Sequence, residues 1–405
     1  MTPMSVAPPR PDPRLTALLD AQPAAAALLE ALEAQGYAAH LVGGTVRDAL
    51  LGRPVKDLDI ATAARPTRVR KIATRAGWHS VATGIDHGTV TVLVDDTPIE
   101  VTTWRHDIST DGRNATIGYS DNVHDDAIRR DFTLNALYAD RQGRILDPTG
   151  QGLADLAAGR LRFVGDPAAR IFEDGLRILR LYRFLSTLDL PAGPSQDRHA
   201  AAAGRARLER VSPERFGKEL LGLLAGPGAA EALAAMVADG VWQDILPEAP
   251  LTPNTARALM ARARTIETVF EMPADPIARL ACLLDTDTAT SPAPATRLRL
   301  SKASRKRLAL LATHADGLDA PAGLGYRLGS QDARAALMRR WARADTAPDR
   351  KAGGRIDHGA AQVFPVTAHD LMPAFTGPAL GAEIERLRAL WIAHDFSLPS
   401  DSLQA

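Results

Sequence analysis

Between residues 15 and 140 two hydrophobic periods alternate along the chain. An Ala/Leu-rich stretch running to about Gln35 predicts a helix, and four stretches near 38 to 42, 55 to 61, 87 to 95 and 97 to 104 read as strands. In HGTVTVLVD, Val90, Val92 and Val94 alternate with threonine and leucine, the period of a half-buried strand. From about residue 150 the period changes. LADLAAGRL, DGLRILRLYRFL, PERFGKELLGLL, AAEALAAMVADG and AEIERLRALWIAH repeat apolar residues at three and four spacing, and strand signals almost vanish. The pattern predicts an α/β head domain followed by an all-helical neck, body and tail. Its expected boundaries are a disordered leader at 1 to 14, the head at 15 to 150, the neck at 151 to 225, the body at 226 to 320 and the tail at 321 to 405. LPAGPSQD (190 to 197) and TATSPAPATR (288 to 297) read as loops or boundaries from their Pro, Gly, Ser and Thr content. The polar segment RHDISTDGRNATIGYSDN, 105 to 122, lacks apolar periodicity and reads as a mobile loop.

The 405 residues suffice for two to four compact units. Lys+Arg and Asp+Glu are equal at 48 each, so no global basic field exists and any nucleic acid must meet a local patch. The densest basic run is RLRLSKASRKRL, which gathers Arg297, Arg299, Lys302, Arg305, Lys306 and Arg307. It reads equally as an RNA-backbone grip or as a solvated helix face, since no aromatic residue interleaves for stacking. Cys282, the single cysteine, lies in the apolar run IARLACLLD and reads as a small buried hydrophobe in a reducing compartment. The proline-rich start lacks the layout of a signal peptide, and no run of about 18 apolar residues occurs, so a cytoplasmic location is expected.

Candidate chemistry concentrates in LVGGTVRDALLGRPVKDLDIAT, Leu41 to Thr62. An apolar strand ends in a Gly43-Gly44 turn that lets backbone N-H groups approach a phosphate, with a short helix behind it. Arg47 lies in that helix as a forked donor for triphosphate oxygens. Asp57 and Asp59 stand at i and i+2 on the next strand, which places both carboxylates on one face as holders of Mg²⁺. Glu100, on the candidate strand TPIEVTTW, is a third carboxylate or an exposed strand residue. No Gly-Lys-Ser/Thr follows the glycines and the third glycine of a dinucleotide fingerprint is missing, which excludes both of those phosphate loops.

GGTVRD with DLD resembles the first motif of the DNA polymerase β-like nucleotidyltransferases, within them the class II tRNA nucleotidyltransferases and bacterial poly(A) polymerases. RRDFTLNALY (129 to 138) is similar to the second motif, LDPTGQGLADLAAGRLRFVGDP (146 to 167) to the hinge, EDGLRILRLYRF (173 to 184) to the nucleotide-selecting motif, and ERVSPERFGKELLGLL (209 to 224) to the one after it. The resemblance implies a Mg²⁺-dependent enzyme that adds or repairs the 3′ CCA end of tRNA from CTP and ATP. Poly(A) synthesis, addition of only A or only the two Cs, and an RNA-binding protein with an inactive head are the alternatives. Arg130, Asp131 and Asn135 read as helical, with Asp131 and Asn135 at i and i+4 on one face, and the resemblance implies that they surround the triphosphate and ribose. It also implies Asp111 and Arg113 as the Asp-x-Arg element of a flexible loop, although Thr110 replaces the usual tyrosine. Asp174 and Arg177, at i and i+3 on a helix, carry the base choice: the carboxylate accepts the amino proton of C or A while the guanidinium donates to the ring nitrogen, and U and G reverse both contacts. Arg180 and Arg183 continue the spacing as phosphate or primer contacts. Gly175 departs from the Pro or Ala usual there, which costs a helix about 0.5 to 1 kcal/mol. Four His-Asp pairs, at 106, 124, 369 and 394, lack the additional ligands of a metal phosphohydrolase. Oligomeric state is not legible in the sequence.

Overall fold

The computed structural model describes residues 10–84, 88–110, 115–317, 319–372 and 374–399. The chain divides into two compact units, one running through Leu181 together with Gly193–Val211, the other made of Tyr182–Ala192 and the chain from Ser212.

The first unit opens with α1 (Pro13–Ala21) and α2 (Pro23–Glu33), bent by 99°. The periodicity suggested one helix. Pro23 divides it, since proline lacks the N-H of an interior turn and clashes with the carbonyl four residues back. Asp12 caps α1, so ordered structure begins inside the stretch expected as leader. Leu15, Leu19, Leu28, Leu29 and Leu32 bury the apolar faces of the two helices.

They cover a seven-stranded sheet of order β3-β4-β5-β2-β1-β8-β9. Its strands are β1 (Ala39–Val42), β2 (Leu58–Thr62), β3 (His79–Gly84), β4 (Thr89–Val94) and β5 (Thr97–Thr103), with the two-residue β8 (Tyr138–Ala139) and β9 (Ile145–Leu146) at one edge. All neighbours are antiparallel except β2 and β5. Val90, Val92 and Val94 are buried as their alternation predicts. Asp95 and Asp96 both take positive φ, the two-residue turn that matches strand twist and joins β4 to β5.

Between strands run α3 (Gly44–Leu50), α4 (Pro66–Arg75) and α5 (Val123–Ile128), and after them α6 (Gly152–Ala157), α7 (Pro167–Glu173) and α8 (Leu176–Thr187). Residues 105 to 122, expected as a loop, instead hold a separate antiparallel hairpin of β6 (Arg105–Thr110) and β7 (Ala115–Tyr119). The alternation of Ala115, Ile117 and Tyr119 in β7 was the available signal, and the polar residues around it masked it.

Beyond Leu146 no strand occurs among the described residues. The second unit is helical, with buried Leu220, Leu224, Met236, Trp242, Ile266, Leu280 and Leu311 in its interior. Segment 288 to 297, expected as a loop, is taken up by the end of helix Thr286–Thr290 and by helix Pro292–Arg297, which Ser291 caps. A proline at the first helical position supports a helix, because that N-H has no partner in any case. Cys282 is fully buried, which pushes its thiol up to about 12.

Candidate active site

The glycine turn comes first. Gly43 ends β1 with φ 64, and a Cβ there would stand 3.2 Å from Arg130 Nη1. The positive φ favours glycine, and any side chain there would also crowd the guanidinium. Behind it, the wholly buried Thr45 fixes the acidic pair. Its hydroxyl donates to the Asp57 carbonyl (3.1 Å) and accepts from the Asp59 N-H (2.9 Å). Thr45 went unnoticed in the sequence, where it reads as an ordinary helix residue.

Asp57 is not a strand residue, as the sequence had it. β2 begins at Leu58, leaving Asp57 exposed at the bend before it, with Asp59 half-buried on the strand. Glu100 stands beside Asp59 in the parallel register of β2 and β5 and is exposed. Burial, then Glu100 and Asp57, raise the Asp59 carboxyl to about 6, against the opposing pull of Arg130 and Arg47. Glu100 and Asp57 thus both bear on Asp59, on two adjacent strands and the bend before one of them. Among the described residues no three His, Cys, Asp or Glu side chains close on one point as a complete ligand cage.

Arg130, Asp131 and Asn135 do not share a helix. α5 ends at Ile128, and Thr133–Asn135 forms a single 3₁₀ turn. They meet through hydrogen bonds instead. Asn135 Nδ2 donates to Asp131 Oδ1 (3.0 Å), and Asn135 Oδ1 accepts from Arg47 Nη1 (2.6 Å). Arg180 Nε and Nη2 both donate to Asp131 Oδ2, at 2.8 and 2.5 Å. Arg47 also forks onto Asp48 (2.8 and 2.9 Å), so its guanidinium is engaged within the protein. Burial alone would raise the Asp131 carboxyl, but Arg180 and Asn135 outweigh it and hold it at about 2. Arg130 bonds fully buried Asp126, which also receives Arg129 and the Tyr138 hydroxyl. Burial opposes the charge on Asp126 too, and Arg130 and Arg129 bring it to about 2. Asp126 was missed in the sequence; an acid three and four residues before two arginines was the available signal.

Asp174 and Arg177 likewise do not lie on one helix. Asp174 is extended, in the elbow between α7 and α8, and its carboxylate caps Leu176 N-H (3.0 Å). Arg177 Nη1 donates to Glu173 Oε2 (2.5 Å) and to the Arg170 carbonyl (2.8 Å). Arg170, itself buried, donates to the Arg129 and Arg130 carbonyls and ties the elbow to the Asp131 network. Gly175 sits at the elbow, not inside a helix, and a Cβ there would meet the Arg207 carbonyl at 2.5 Å. Arg183 belongs to the second unit and pairs with buried Glu219.

Asp111 and Arg113 lie outside the described residues. Of the basic run, Arg297 faces Glu248 (3.7 Å), Arg299 bonds Glu214 (3.0 Å), and Arg307 pairs with Asp275 and Asp332 at 2.6 and 2.7 Å. Arg307 is engaged in partly buried pairs, whereas Arg297 and Arg299 are exposed and paired at the surface; Lys302, Arg305 and Lys306 are exposed as well.

Residues 39–162 match the family model for the poly A polymerase head domain, and residues 198–252 the model for a probable RNA and SrmB-binding site of polymerase A. The chain is 38% identical over 283 residues to the CCA-adding enzyme of Streptococcus sanguinis, covering 69% of this chain and 68% of that protein. The same enzyme of Streptococcus gordonii is 38% identical over 285 residues, 70% and 68% of the two chains. The Bacillus stearothermophilus CCA-adding enzyme in complex with CTP superimposes with a TM-score of 0.74 at 25% identity over 95% of this chain and 94% of that one. The Thermotoga maritima enzyme complexed with tRNA shares the fold, with a TM-score of 0.70 at 19% identity over 98% of each chain.

Proposed function

The chain belongs to the family of CCA-adding enzymes, and from that premise we propose that it builds or repairs the 3′ CCA end of tRNA from CTP and ATP, releasing pyrophosphate. The observation that carries this reading is the paired carboxylates of Asp57 and Asp59, fixed through Thr45 with Glu100 in register beside them. Such a hard-oxygen donor set fits Mg²⁺, which takes one or two carboxylates and fills its remaining positions with phosphate oxygens and water. Burial first, and then the negative charge of Glu100 and Asp57, raise the Asp59 carboxyl, and a divalent cation would offset both. When bound, Mg²⁺ supplies charge neutralisation at the reacting phosphate.

The chain's own residues account for binding and selection. Gly43 keeps the backbone open beside the Arg130 guanidinium, a donor for triphosphate oxygens. In this reading the hydrogen-bonded network of Arg47, Asn135, Asp131 and Arg180 lines the nucleotide site, and Asn135 reads the ribose. Asp174 and Arg177 read the base. In the free protein Glu173 occupies the Arg177 fork, so a base gains Arg177 by replacing that carboxylate. Two mismatched contacts give discrimination against U and G on the order of 10² to 10⁴. We place the activity in the cytoplasm, a reducing compartment consistent with one buried cysteine and with no single described helix long and apolar enough to cross a membrane.

The test is to incubate the protein with Mg²⁺ and tRNA transcripts ending at the discriminator base, C or CC, with CTP and ATP separately and together, and to sequence the 3′ ends. Discrete CCA ends on every primer are expected. Long A tails would mean poly(A) synthesis, the activity named in the head-domain family that residues 39–162 match, and growth on one primer class would mean a partial enzyme.

A further inference from the structure

Phe172 is the most exposed aromatic side chain among the described residues, at 69%. It stands two residues before Asp174, at the end of α7. An isolated exposed phenylalanine is unremarkable as surface, but this one is held in place. The Arg207 guanidinium lies over the ring, 3.7 Å from its centre, and Arg207 Nη2 donates to the Phe172 carbonyl. The 3₁₀ helix that carries Arg207, Arg205–Arg210, is pressed onto the elbow at two further points. A Cβ on Gly204 would meet Ile171 at 2.6 Å, and one on Gly175 would meet the Arg207 carbonyl. Ring and cation are therefore fixed with little rotamer entropy left to lose on binding. They share a shallow groove with Asp174 and exposed Arg210.

A rigid aromatic face stacked on arginine, rimmed by a second arginine, is the arrangement that binds unpaired bases without reading them. Residues 198–252, which include Arg207 and Arg210, match the probable RNA-binding model, which places the occupant on the RNA side. We propose that Phe172, backed by Arg207, is a stacking platform for an unpaired base at the 3′ end of the RNA primer, next to the carboxylate that selects the incoming base. The proposal rests on the CCA-adding reading for the identity of its RNA.

The test measures binding of two tRNA transcripts to wild type, Phe172→Leu and Phe172→Trp. One transcript ends in CC, and the other is trimmed to the last acceptor-stem base pair. Leucine keeps the bulk of an exposed side chain but has no π face, so Phe172→Leu should weaken binding of the CC-ended tRNA on the order of 5- to 100-fold. Binding of the trimmed tRNA should stay unchanged, and tryptophan should restore the loss. The KM values for CTP and ATP should not move. Equal effects on both RNAs, no effect on either, failure of tryptophan to restore, or a rise in nucleotide KM with RNA affinity intact would each overturn the platform. If wild type extends no tRNA yet the leucine variant loses affinity for the CC-ended RNA alone, the platform stands and the CCA-adding reading falls.

Discussion

Thr45 shows how one hydroxyl ties down the backbone that carries two carboxylates. It donates to Asp57 and accepts from Asp59, so the backbone between them cannot rotate freely. Thr45→Val keeps the shape and deletes both bonds, leaving a buried N-H and a carbonyl without that partner at a cost of roughly 1 to 3 kcal/mol. Nucleotide incorporation at saturating substrate should fall about tenfold or more while tRNA affinity is retained; parallel loss of both would mean that Thr45 serves only the fold. Asp131 gives the pH dependence. Its folded carboxyl lies at about 2 against an ordinary 3.8, as does that of Asp126. A depressed carboxyl stabilises the fold above the ordinary value, and that contribution disappears as pH falls from about 4 toward 2. Each buried acid contributes roughly 2 kcal/mol by this route at neutral pH. Thermal unfolding followed from pH 6 to 2 should show a steep acid limb that Asp131→Asn flattens, and identical limbs would refute the assignment.

Among the elements, the elbow between α7 and α8 shows best what a single sequence conveys. EDGLR reads as one helix with Asp174 and Arg177 on a shared face, yet the chain breaks there and Gly175 accepts the backbone of Arg207. Gly175→Ala should push that contact apart, destabilising the protein by about 1 to 3 kcal/mol through overpacking and moving Asp174. Misincorporation of UTP and GTP relative to CTP should rise with it, measured by primer extension at matched nucleotide concentrations. Unchanged selectivity in a folded variant would separate the elbow from base choice. The elbow was illegible for a physical reason, since a close approach by Arg207, some thirty residues away, leaves no local pattern. The 3₁₀ turn at Asn135 likewise left no local period, and in the hairpin of β6 and β7 the alternation of Ala115, Ile117 and Tyr119 is masked by the polar residues around it. β1, β2, β4, β5 and the helical second unit were legible because each buries one face against its own unit, and burial writes a period into the sequence. Of the acidic pair the sequence conveyed the residues and their neighbourhood, whereas their fixing by Thr45 needed the fold.

At the scale of the whole molecule, equal numbers of acids and bases turn on where the cations are spent. Many arginines serve the interior: Arg279 is buried with Glu267 and also donates to the Leu224 and Gly226 carbonyls, and fully buried Arg339 bonds Asp316 and the Ala281 carbonyl. Arg307 is paired with Asp275 and Asp332 in a partly buried site, and Arg297 and Arg299 form exposed surface pairs with Glu248 and Glu214. The cations of the basic run outside these pairs are Lys302, Arg305 and Lys306 on helix Lys302–Ala315. Three exposed cations within five residues can still hold an RNA backbone, and the counterions that phosphates release on contact make such binding salt-dependent. If all three meet phosphates, replacing them together with alanine should lower the slope of log affinity against log salt by about 2 to 3 for any tRNA, whatever its 3′ end. The Phe172 platform predicts the reverse signature, a loss confined to RNAs with an unpaired end and little change in salt slope. An unaltered slope in the triple variant would leave the backbone contacts to the segment matched at 198–252, where Lys218 and Arg210 are exposed.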